Sequence, residues 1–391
     1  MHKLWWCLWS CSAIGLLACG SGDDAPNCDE SGHACTWLGL PGESGFNGDG
    51  KDRLATKMYW SMDMTFGPDG MPWFIDWNNH MVRRVLPDQT VETVLGWIDP
   101  PFPGDGGPGE TMPGGALGIE VQLNHPTDLA FDSDGSLLVM AWHNHKLRRL
   151  DPASLRVTIE CGAGAGYRGD GGDAKTALFR QPKALVLGPN RERYIVDQQN
   201  WRIREIDANG IINTIAGTGV QGDNSTQGDG GPALMANLNL EAGSNPEPSG
   251  GLVLDGSLLY FADTLANRIR VIDLASDPPT IDNYAGTGDT GLSGDGGPAL
   301  AATLYHPRDL EIGPEGDLYV ADTDNSVIRA ISKIDGTIRT VAGTGELGMN
   351  EEEGLLATQT VFRRPFGIEF DADGNLYVAD TINSRIVRIA R

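Results

Sequence analysis

The sequence of 391 residues predicts an all-β fold built from six similar units. Three observations lead to this prediction. One short motif recurs six times, alternating apolar runs and tight turns surround each copy, and the last copy lacks a strand that the N-terminus can supply. Four short antiparallel strands per unit, repeated around a ring, make a six-bladed β-propeller.

The repeated motif is an apolar run that ends in Asp, followed by a turn, an Asn and a strand that contains Arg. A clear copy reads YVADTDNSVIR from Tyr319. The Asp position of the six copies is filled by Asp76, Ala141, Asp197, Asp263, Asp322 and Asp380, which lie 56 to 66 residues apart. A period of this length indicates one repeat array rather than two or three separate domains.

The elements of each unit follow in a constant order. A loop with the letters GDGG leads into an alternating strand such as DLEIG at residues 309–313. A turn such as PEG or SDG, which is good hairpin chemistry, joins it to the second strand. The second strand ends in the Asp of the motif, the third contains the Arg, and the fourth reads like TIRTVAG.

The two ends of the chain complete each other. The sixth unit stops after its third strand, at residues 385–391, and CTWLG at residues 35–39 matches a fourth strand. We expect residues 35–39 to pair there and close the ring, which removes exposed sheet edges. Cys28 and Cys35 are predicted to form a disulfide in an oxidising compartment, and Cys161 is interpreted as a small buried thiol.

The N-terminus has the pattern of an export signal. Lys3 precedes an apolar stretch at residues 4–17, which is too short for a stable membrane anchor but right for a signal peptide. It ends in LLACG, which resembles the bacterial lipobox and predicts a lipid on Cys19. We therefore expect a lipoprotein signal peptide at 1–18, a lipidated Cys and flexible tether at 19–34, and the propeller at 35–391. Gly20 after the cysteine favours the outer membrane of a bacterial cell envelope.

The charge of the chain limits the classes of partner. Its net charge is −24, from 29 Lys and Arg against 53 Asp and Glu. Such a surface repels nucleic acid, since phosphate binding needs clustered cations. Membrane contact is expected through the N-terminal lipid alone, and the protein is expected to be a monomer.

The repeat resembles a known family. The segment SGDGGPALAATLYHPRDLEIGPEGDLYVADTDNSVIR, from Ser293, is similar to the bacterial lipoprotein form of the NHL repeat and to teneurin-type NHL propellers. The resemblance extends over nearly all of the chain from about residue 36 to residue 391. It implies a six-bladed propeller.

The GDGG loops are interpreted as structural, because one active site needs no repeated copies. They lie at residues 104–107, 169–172, 228–231 and 294–297. Their aspartates are predicted to hold their own loops by local hydrogen bonds: Asp105, Asp170, Asp229 and Asp295. These loops, the Asp–x–x–Asn turns and the insertions at 108–121 and 241–250 are predicted to share one face. That face is the predicted binding face, because function on rigid scaffolds lies in loops.

Residues that differ between the units are the candidates for a site. Asp63, Asp128 and Asp309 begin innermost strands, where other units have Ala184 or Gly367, and they are expected at the mouth of the central channel. Carboxylates gathered there suit a hard cation such as Ca²⁺. The alternative is that each aspartate caps local backbone beside a channel filled with water.

A second candidate site is aromatic. Trp77 and Trp142 occupy the same turn position in adjacent units, with Trp201, His80, His143 and His145 nearby. Exposed aromatic rings beside polar groups suit sugar or peptide ligands. Alternatively, they fill grooves between blades. His125 and His306, which precede proline, are zinc ligands only in principle.

Two classes of function remain open from the sequence. The first is a lipid-anchored, non-enzymatic module that binds a protein or glycan on its loop face. The alternative is a metal-dependent hydrolase, lactonase or lyase with its site at the channel mouth around Asp63, Asp128 and Asp309. Both depend on analogy between folds, since a propeller does not by itself define a function.

Overall fold

A computed structural model describes residues 26–96, 115–225, 228–244 and 246–391. The predicted signal peptide at 1–18, the lipidation site Cys19, and the loop at 104–107 with Asp105 lie outside these ranges. Within the ranges, the helices are single 3₁₀ turns, and none is long and apolar enough to cross a membrane.

The chain forms a six-bladed β-propeller, as the sequence predicts. Each blade is an antiparallel sheet of four main strands. These follow in chain order from the channel outward in blades 1 to 5, while blade 6 takes its outermost main strand from the N-terminus. In blades 1 to 3 they are Ser61–Phe66, Pro72–Asp76, Met81–Val85 and Thr90–Leu95; Pro126–Phe131, Leu137–Ala141, Lys146–Asp151 and Arg156–Cys161; Pro182–Leu187, Arg193–Asp197, Arg202–Ile206 and Ile211–Ala216. In blades 4 to 6 they are Leu252–Asp255, Leu258–Asp263, Arg268–Asp273 and Thr280–Ala285; Pro307–Ile312, Leu318–Asp322, Val327–Ile331 and Ile338–Ala342; Pro365–Phe370, Leu376–Asp380, Arg385–Ile389 and His33–Leu38.

The N-terminal strand closes the ring, as predicted. His33–Leu38 pairs antiparallel with Arg385–Ile389, the third strand of blade 6. It begins two residues earlier than the predicted range 35–39. The carboxylate of Glu353 accepts hydrogen bonds from the backbone N–H and the hydroxyl of Thr36, both at 2.6 Å. Cys28 and Cys35 form a disulfide at the foot of this strand.

A fifth, two-residue strand lies outside the fourth strand in five of the blades that the structure describes. These short strands are Lys51–Asp52, Ala116–Leu117, Gly172–Asp173, Gly231–Pro232 and Leu355–Leu356. Each is followed by a 3₁₀ turn: Arg53–Ala55, Gly118–Glu120, Ala174–Thr176, Ala233–Met235 and Ala357–Gln359, with Ala299–Ala301 in the equivalent place of blade 5.

The short strands show where the GDGG loops lie. Three of these loops lead into a segment that lies beside the outermost strand of a blade, so they lie at the periphery of the ring. Their aspartates reach beyond their own loops, because each bonds to an arginine of the third strand. Asp170 contacts Arg204 at 2.8 Å, and Asp229 contacts Arg270 at 2.5 Å. Asp170 also accepts a hydrogen bond from Tyr167 of its own loop.

The repeated Asp, Asn and Arg form one buried network, which we call the Asp–Asn–Arg network. In blade 1, Asp76 accepts hydrogen bonds from the backbone N–H of Tyr59 at 2.7 Å and from Asn79 at 2.9 Å. Arg83 lies 3.2 Å from Asp76 and donates to the carbonyl oxygen of Lys57. Tyr59 and Lys57 belong to the segment that enters the innermost strand. The network therefore fixes the connection between neighbouring blades.

Blade 2 replaces one member of this network. Ala141 stands where the other blades have Asp, so no carboxylate is present at that position. The side-chain oxygen of Asn144 instead accepts the equivalent backbone N–H, from Asn124, at 2.9 Å. The entering segment is held by a neutral amide in place of a carboxylate.

Apolar side chains fill every space between neighbouring blades. The described residues contain six buried clusters, and each joins two consecutive blades. The cluster between blades 6 and 1 packs Leu38 of the closing strand against Ile386, Phe74 and Met64. A blade has no core of its own, so loss of one blade exposes two neighbouring apolar faces.

The disulfide gives a direct test of ring closure. Replacement of Cys28 and Cys35 by serine is expected to lower the free energy of unfolding by about 2.5 kcal/mol, because the unfolded chain regains the freedom of a short loop. Thermal and urea unfolding of the purified protein measure this change. Cys161→Ala is the control, since alanine fills the equivalent place in three other blades. Equal stability of the serine variant and the wild type would contradict the closing role.

Candidate functional site

Residues in a left-handed backbone conformation surround the channel mouth. The residue before an innermost strand has a positive φ in five blades: Trp60, His125, Gln181, His306 and Arg364, with φ between 48° and 66°. This conformation is uncommon for residues other than glycine. The place holds tryptophan, glutamine and arginine in one blade each and histidine in two, so the mouth is chemically asymmetric.

Blades 1 and 2 bring aromatic and imidazole rings together at the mouth. Trp60 and Trp77 stack with ring centres 5.9 Å apart and planes at 12°. Trp77 lies 4.4 Å from His125, and His125 contacts both His80 and His143. We call these five partly exposed residues the aromatic–histidine patch. Trp60 and His125 were not among the predicted ligand residues, although each stands immediately before an innermost strand.

The structure places the other predicted patch residues elsewhere. Trp142 is only 1% exposed, because His143 stacks on it at 4.1 Å and its indole N–H donates to Gln198. Trp201 packs against the apolar cluster between blades 3 and 4 and donates to the carbonyl oxygen of Leu240. Trp142 therefore belongs to the scaffold, and the expectation that it is an exposed ligand contact is wrong. Trp201 is partly exposed, as is Trp77, which packs in the same way against the cluster between blades 1 and 2.

His80 and His145 couple neighbouring blades. Nδ1 of His80 accepts the backbone N–H of His125 at 3.1 Å, and Nδ1 of His145 accepts that of Gln181 at 3.0 Å. In blade 4, the side-chain oxygen of Asn267 accepts the equivalent N–H from His306. The bonds require an unprotonated Nδ1, so His80 contributes to the patch as a neutral ring.

The imidazoles of the patch resist protonation. Burial lowers the pKa of His80 to about 4, and burial with the neighbouring imidazoles His80 and His143 lowers that of His125 to about 3. Burial and the imidazoles His145 and His80 lower the pKa of His143 to about 4. Nδ1 of His125 lies 3.0 Å from Nδ1 of His143, so one nitrogen donates and the other accepts. The patch is therefore uncharged at neutral pH.

The central channel is a cavity of about 450 Å³ with acidic and apolar walls. Asp63, Asp128 and Asp309 line it, together with Glu311 and Glu369. The two glutamates were not predicted. A signal was present, because side chains two residues apart on a strand face the same side, and Glu311 and Glu369 lie two residues after Asp309 and Gly367.

The three predicted aspartates each join two blades. Asp63 accepts the backbone N–H of Leu129 at 2.9 Å, Asp128 accepts that of Leu185 at 3.2 Å, and Asp309 accepts that of Ile368 at 3.0 Å. The aspartates therefore cap backbone groups, as in the alternative of the sequence analysis, but these groups belong to the next blade rather than to local backbone. Within the ranges that the structure describes, no group of three or more His, Cys, Asp or Glu has an arrangement that could hold a metal ion.

Burial and mutual repulsion keep protons on the channel carboxyls. Burial raises the pKa of Asp128 to about 7 and that of Glu311 to about 8, with Asp309 adding to both shifts. The pKa values of Asp63 and Glu369 are raised well above their ordinary range for the same reasons. Lys183 opposes these shifts at Asp128, because its ammonium group crosses from blade 3 to within 3.9 Å of Asp309.

Buried side chains separate the patch from this cavity. They occupy the place immediately before the channel aspartates and their equivalents: Met62, Thr127, Lys183, Arg308 and Phe366. Lys183 and Arg308 meet across the channel, since Nζ of Lys183 lies 3.4 Å from the carbonyl oxygen of Arg308. The patch and the acidic cavity are therefore two distinct environments.

The insertion before the innermost strand of blade 4 also lies at the mouth. We call its described part, residues 241–244 and 246–250, the strap. Gln198 anchors the strap through the carbonyl oxygens of Glu241 and Glu247. At its end, the carboxylate of Glu247 bonds to Arg308 and Arg364. His306, named in the sequence analysis as a zinc ligand in principle, lies near the same place. Its Nδ1 is 2.6 Å from the carboxylate of Asp324.

Known proteins share the repeat and the fold. No family model matches the chain. It is 26% identical to human teneurin-1 over 371 residues, which cover 86% of this chain and 12% of teneurin-1. It is 27% identical to NHL repeat-containing protein 2 of Bos taurus over 230 residues, which cover 53% of this chain and 31% of that protein. The chain thus spans less than a third of the length of either relative.

Solved structures also share the fold. An auxiliary nutrient binding protein from Bacteroides thetaiotaomicron superposes with a TM-score of 0.63 and 16% sequence identity. The match covers 91% of this chain and 76% of that protein. At this identity, the similarity describes the propeller architecture alone.

Asp128→Asn tests the state of the channel carboxyls. Asp128 has a raised pKa in the folded protein, so its contribution to stability decreases as pH rises from about 4 towards 7. Asparagine keeps an acceptor for Leu185 but does not titrate beside Lys183, Asp63 and Asp309. The melting temperature of the variant minus that of the wild type is therefore expected to increase between pH 5 and pH 8. A difference that is constant with pH would contradict the buried, protonated state.

His80→Asn tests the neutral imidazole. The pKa of His80 is lowered in the folded protein, so its contribution is complete above about pH 6.5 and is lost as pH falls towards 4. Asn267 shows that asparagine fits the equivalent left-handed position. The melting temperature of the variant relative to the wild type is expected to increase as pH falls from 7 to 4.5. An unchanged difference over this interval would show that His80 does not titrate as inferred.

Proposed function

The chain is an NHL-type six-bladed propeller, and we propose that it is a binding module of a bacterial cell envelope that takes a neutral carbohydrate on its aromatic–histidine patch. The observation that carries this proposal is the pair of stacked indoles, Trp60 and Trp77, at the mouth of the ring. Aromatic faces suit the C–H surface of a sugar ring, while polar groups beside them orient hydroxyls.

The surroundings of the patch favour an uncharged ligand. The three imidazoles are neutral at pH 7, because their pKa values lie at about 4 or below. Asn124 lies beside them, with its side-chain oxygen 2.7 Å from Nδ1 of His125. Imidazole and amide groups donate and accept hydrogen bonds without charge, which matches sugar hydroxyls. A protein ligand is the second member of the class predicted from the sequence, and the binding measurements below distinguish it.

Similarity to the nutrient-binding protein of Bacteroides thetaiotaomicron supports a binding role at the level of the fold. That relation alone does not define a ligand for this chain. The choice of a carbohydrate depends instead on the composition and neutrality of the patch.

The proposed anchor is a lipid on Cys19, which places the patch away from the membrane. Gly32 donates to the carbonyl oxygen of Ala390, which follows the third strand of blade 6. Third strands run from the Asp–x–x–Asn turns towards the opposite face, so the N-terminal segment leaves the propeller on that opposite face. About seven residues between Cys19 and Pro26 reach at most about 25 Å. Such an anchor would direct the patch outward.

Binding of neutral oligosaccharides tests the proposal. Trp60→Ala is expected to weaken binding at least about tenfold, because it removes one of the two stacked platforms. Calorimetry with ligands selected from a carbohydrate array measures the affinity. Tyr305→Ala is the matched control, since it removes an exposed aromatic side chain near the same mouth but outside the patch.

Two results would overturn this assignment. One is equal affinity of Trp60→Ala and the wild type for every sugar that the wild type binds. The other is absence of sugar binding, with capture of a protein ligand that depends on Trp60.

A further inference from the structure

Glu247 of the strap is held by two arginines from different blades. Its carboxylate accepts two hydrogen bonds from Arg364 of blade 6, at 3.0 and 2.7 Å. It accepts a third from Arg308 of blade 5, at 2.6 Å. A bidentate pair reinforced by a second guanidinium is a strong and specific way to bind a carboxylate.

Arg308 needs an anion at this place. Its side chain is 1% exposed, donates to the carbonyl oxygen of Pro248 and lies over the ring of Phe366 at 4.8 Å. Burial lowers the pKa of Arg308, whereas the nearby carboxylate of Glu247 raises it. A buried guanidinium without a compensating charge is costly. Glu241 lies farther away, at 3.9 Å.

Arg364 is oriented independently of the strap. Its Nε donates to Asp324 at 2.6 Å, and Asp324 also contacts His306 at 2.6 Å. These contacts leave both Nη groups directed to Glu247. Arg308 therefore lies on an innermost strand and Arg364 lies at the rim, immediately before such a strand. The contact with Asp324, outside the strap, fixes Arg364.

Glu247 differs from its partners in its surroundings. Its side chain is 46% exposed, whereas that of Arg364 is 26% exposed and that of Arg308 is 1% exposed. It belongs to an insertion that the other blades described here do not have at this place. The carboxylate is therefore bound by one buried and one partly exposed guanidinium, and it comes from a surface segment.

We propose that Arg308 and Arg364 form a carboxylate-binding site in which Glu247 is the intramolecular occupant, and that the carboxylate of a small acidic ligand replaces it. A sugar acid or an N-acylated amino acid supplies this chemistry. The proposal is separate from neutral sugar binding on the patch, and its test does not depend on that function.

Chemical rescue of a vacant site tests the proposal. Glu247→Ala is expected to lower the melting temperature, because Arg308 remains buried without its anion. Sodium acetate is expected to restore about 2 °C or more in a saturable manner, since a ligand that binds the folded state stabilises it. Sodium chloride at equal ionic strength is expected to have no saturable effect. The wild type is expected to respond only at higher acetate concentration, because acetate must first displace Glu247.

Matched variants make the result specific. Glu241→Ala removes the strap carboxylate that lies 3.9 Å from Arg308. It is expected to lower the melting temperature less than Glu247→Ala and to respond to acetate no more than the wild type, because Glu247 still fills the site. Adding Arg364→Leu to Glu247→Ala is expected to abolish the rescue. If Glu247→Ala does not fold, Glu247→Gln is titrated in its place, since it keeps the shape of the side chain without its charge.

The ligand arms distinguish the sources of the carboxylate. Galacturonate is compared with galactose, and N-acetylglycine with its amide. A larger shift with galacturonate than with acetate or N-acetylglycine assigns a sugar acid, and the reverse order assigns an acylated amino acid. Folded Glu247 variants without a saturable response to any carboxylate would overturn the proposal. A response that chloride reproduces or that survives Arg364→Leu would overturn it as well, and so would a wild type that responds to no carboxylate at any concentration.

Discussion

The buried pair of Asp and Arg in the Asp–Asn–Arg network is the constraint on which the propeller depends. In blade 1 both Asp76 and Arg83 are fully buried, and their charges are compensated by each other and by backbone groups of the entering segment. Removal of one partner from such a pair typically costs about 3–5 kcal/mol, because the other charge remains buried. The pair therefore contributes less to net stability than to specificity, because it holds the connection between blades in one position. Once that connection is fixed, the innermost strand is placed and the apolar clusters between blades can form.

The contact made by the residue after the network Asp differs between the two halves of the ring. Thr264, Thr323 and Thr381 stand directly after the network Asp in blades 4 to 6, and each donates to a backbone carbonyl of the next innermost strand. The equivalent residues in blades 1 to 3 are Trp77, Trp142 and Gln198. There, stacked rings and an amide take over the contact between blades, and the same substitutions supply the patch and the anchor of the strap. The face proposed to bind a ligand and the joints between blades thus share the same positions.

The repeat predicted the fold because the same pattern of strands and turns recurs in each of the six units. Period-2 strands, turn letters and the missing fourth strand of the sixth unit together required a closed ring, and even the closing strand was found to within two residues. The site was predicted less well. Trp77, His80 and His143 were identified as exceptions to the repeat, but so was Trp142, which is buried in the scaffold. Ring stacking between Trp60 and Trp77, and the three bonds to Glu247, depend on how separate blades meet, which spacing along one chain does not determine.

Closure by the N-terminal strand imposes an order on biosynthesis. Thr36 and its partner Arg385 are 349 residues apart, so the first strand of the fold to be synthesised pairs with the last. Until Arg385–Ile389 is in place, His33–Leu38 lacks its main neighbour, and the remaining blades form an open arc. The disulfide between Cys28 and Cys35 spans only this waiting segment and can form before the arc is complete. Loss of Arg385–Ile389 would therefore also undo the pairing of His33–Leu38, and the open arc would present unpaired strand edges to other molecules.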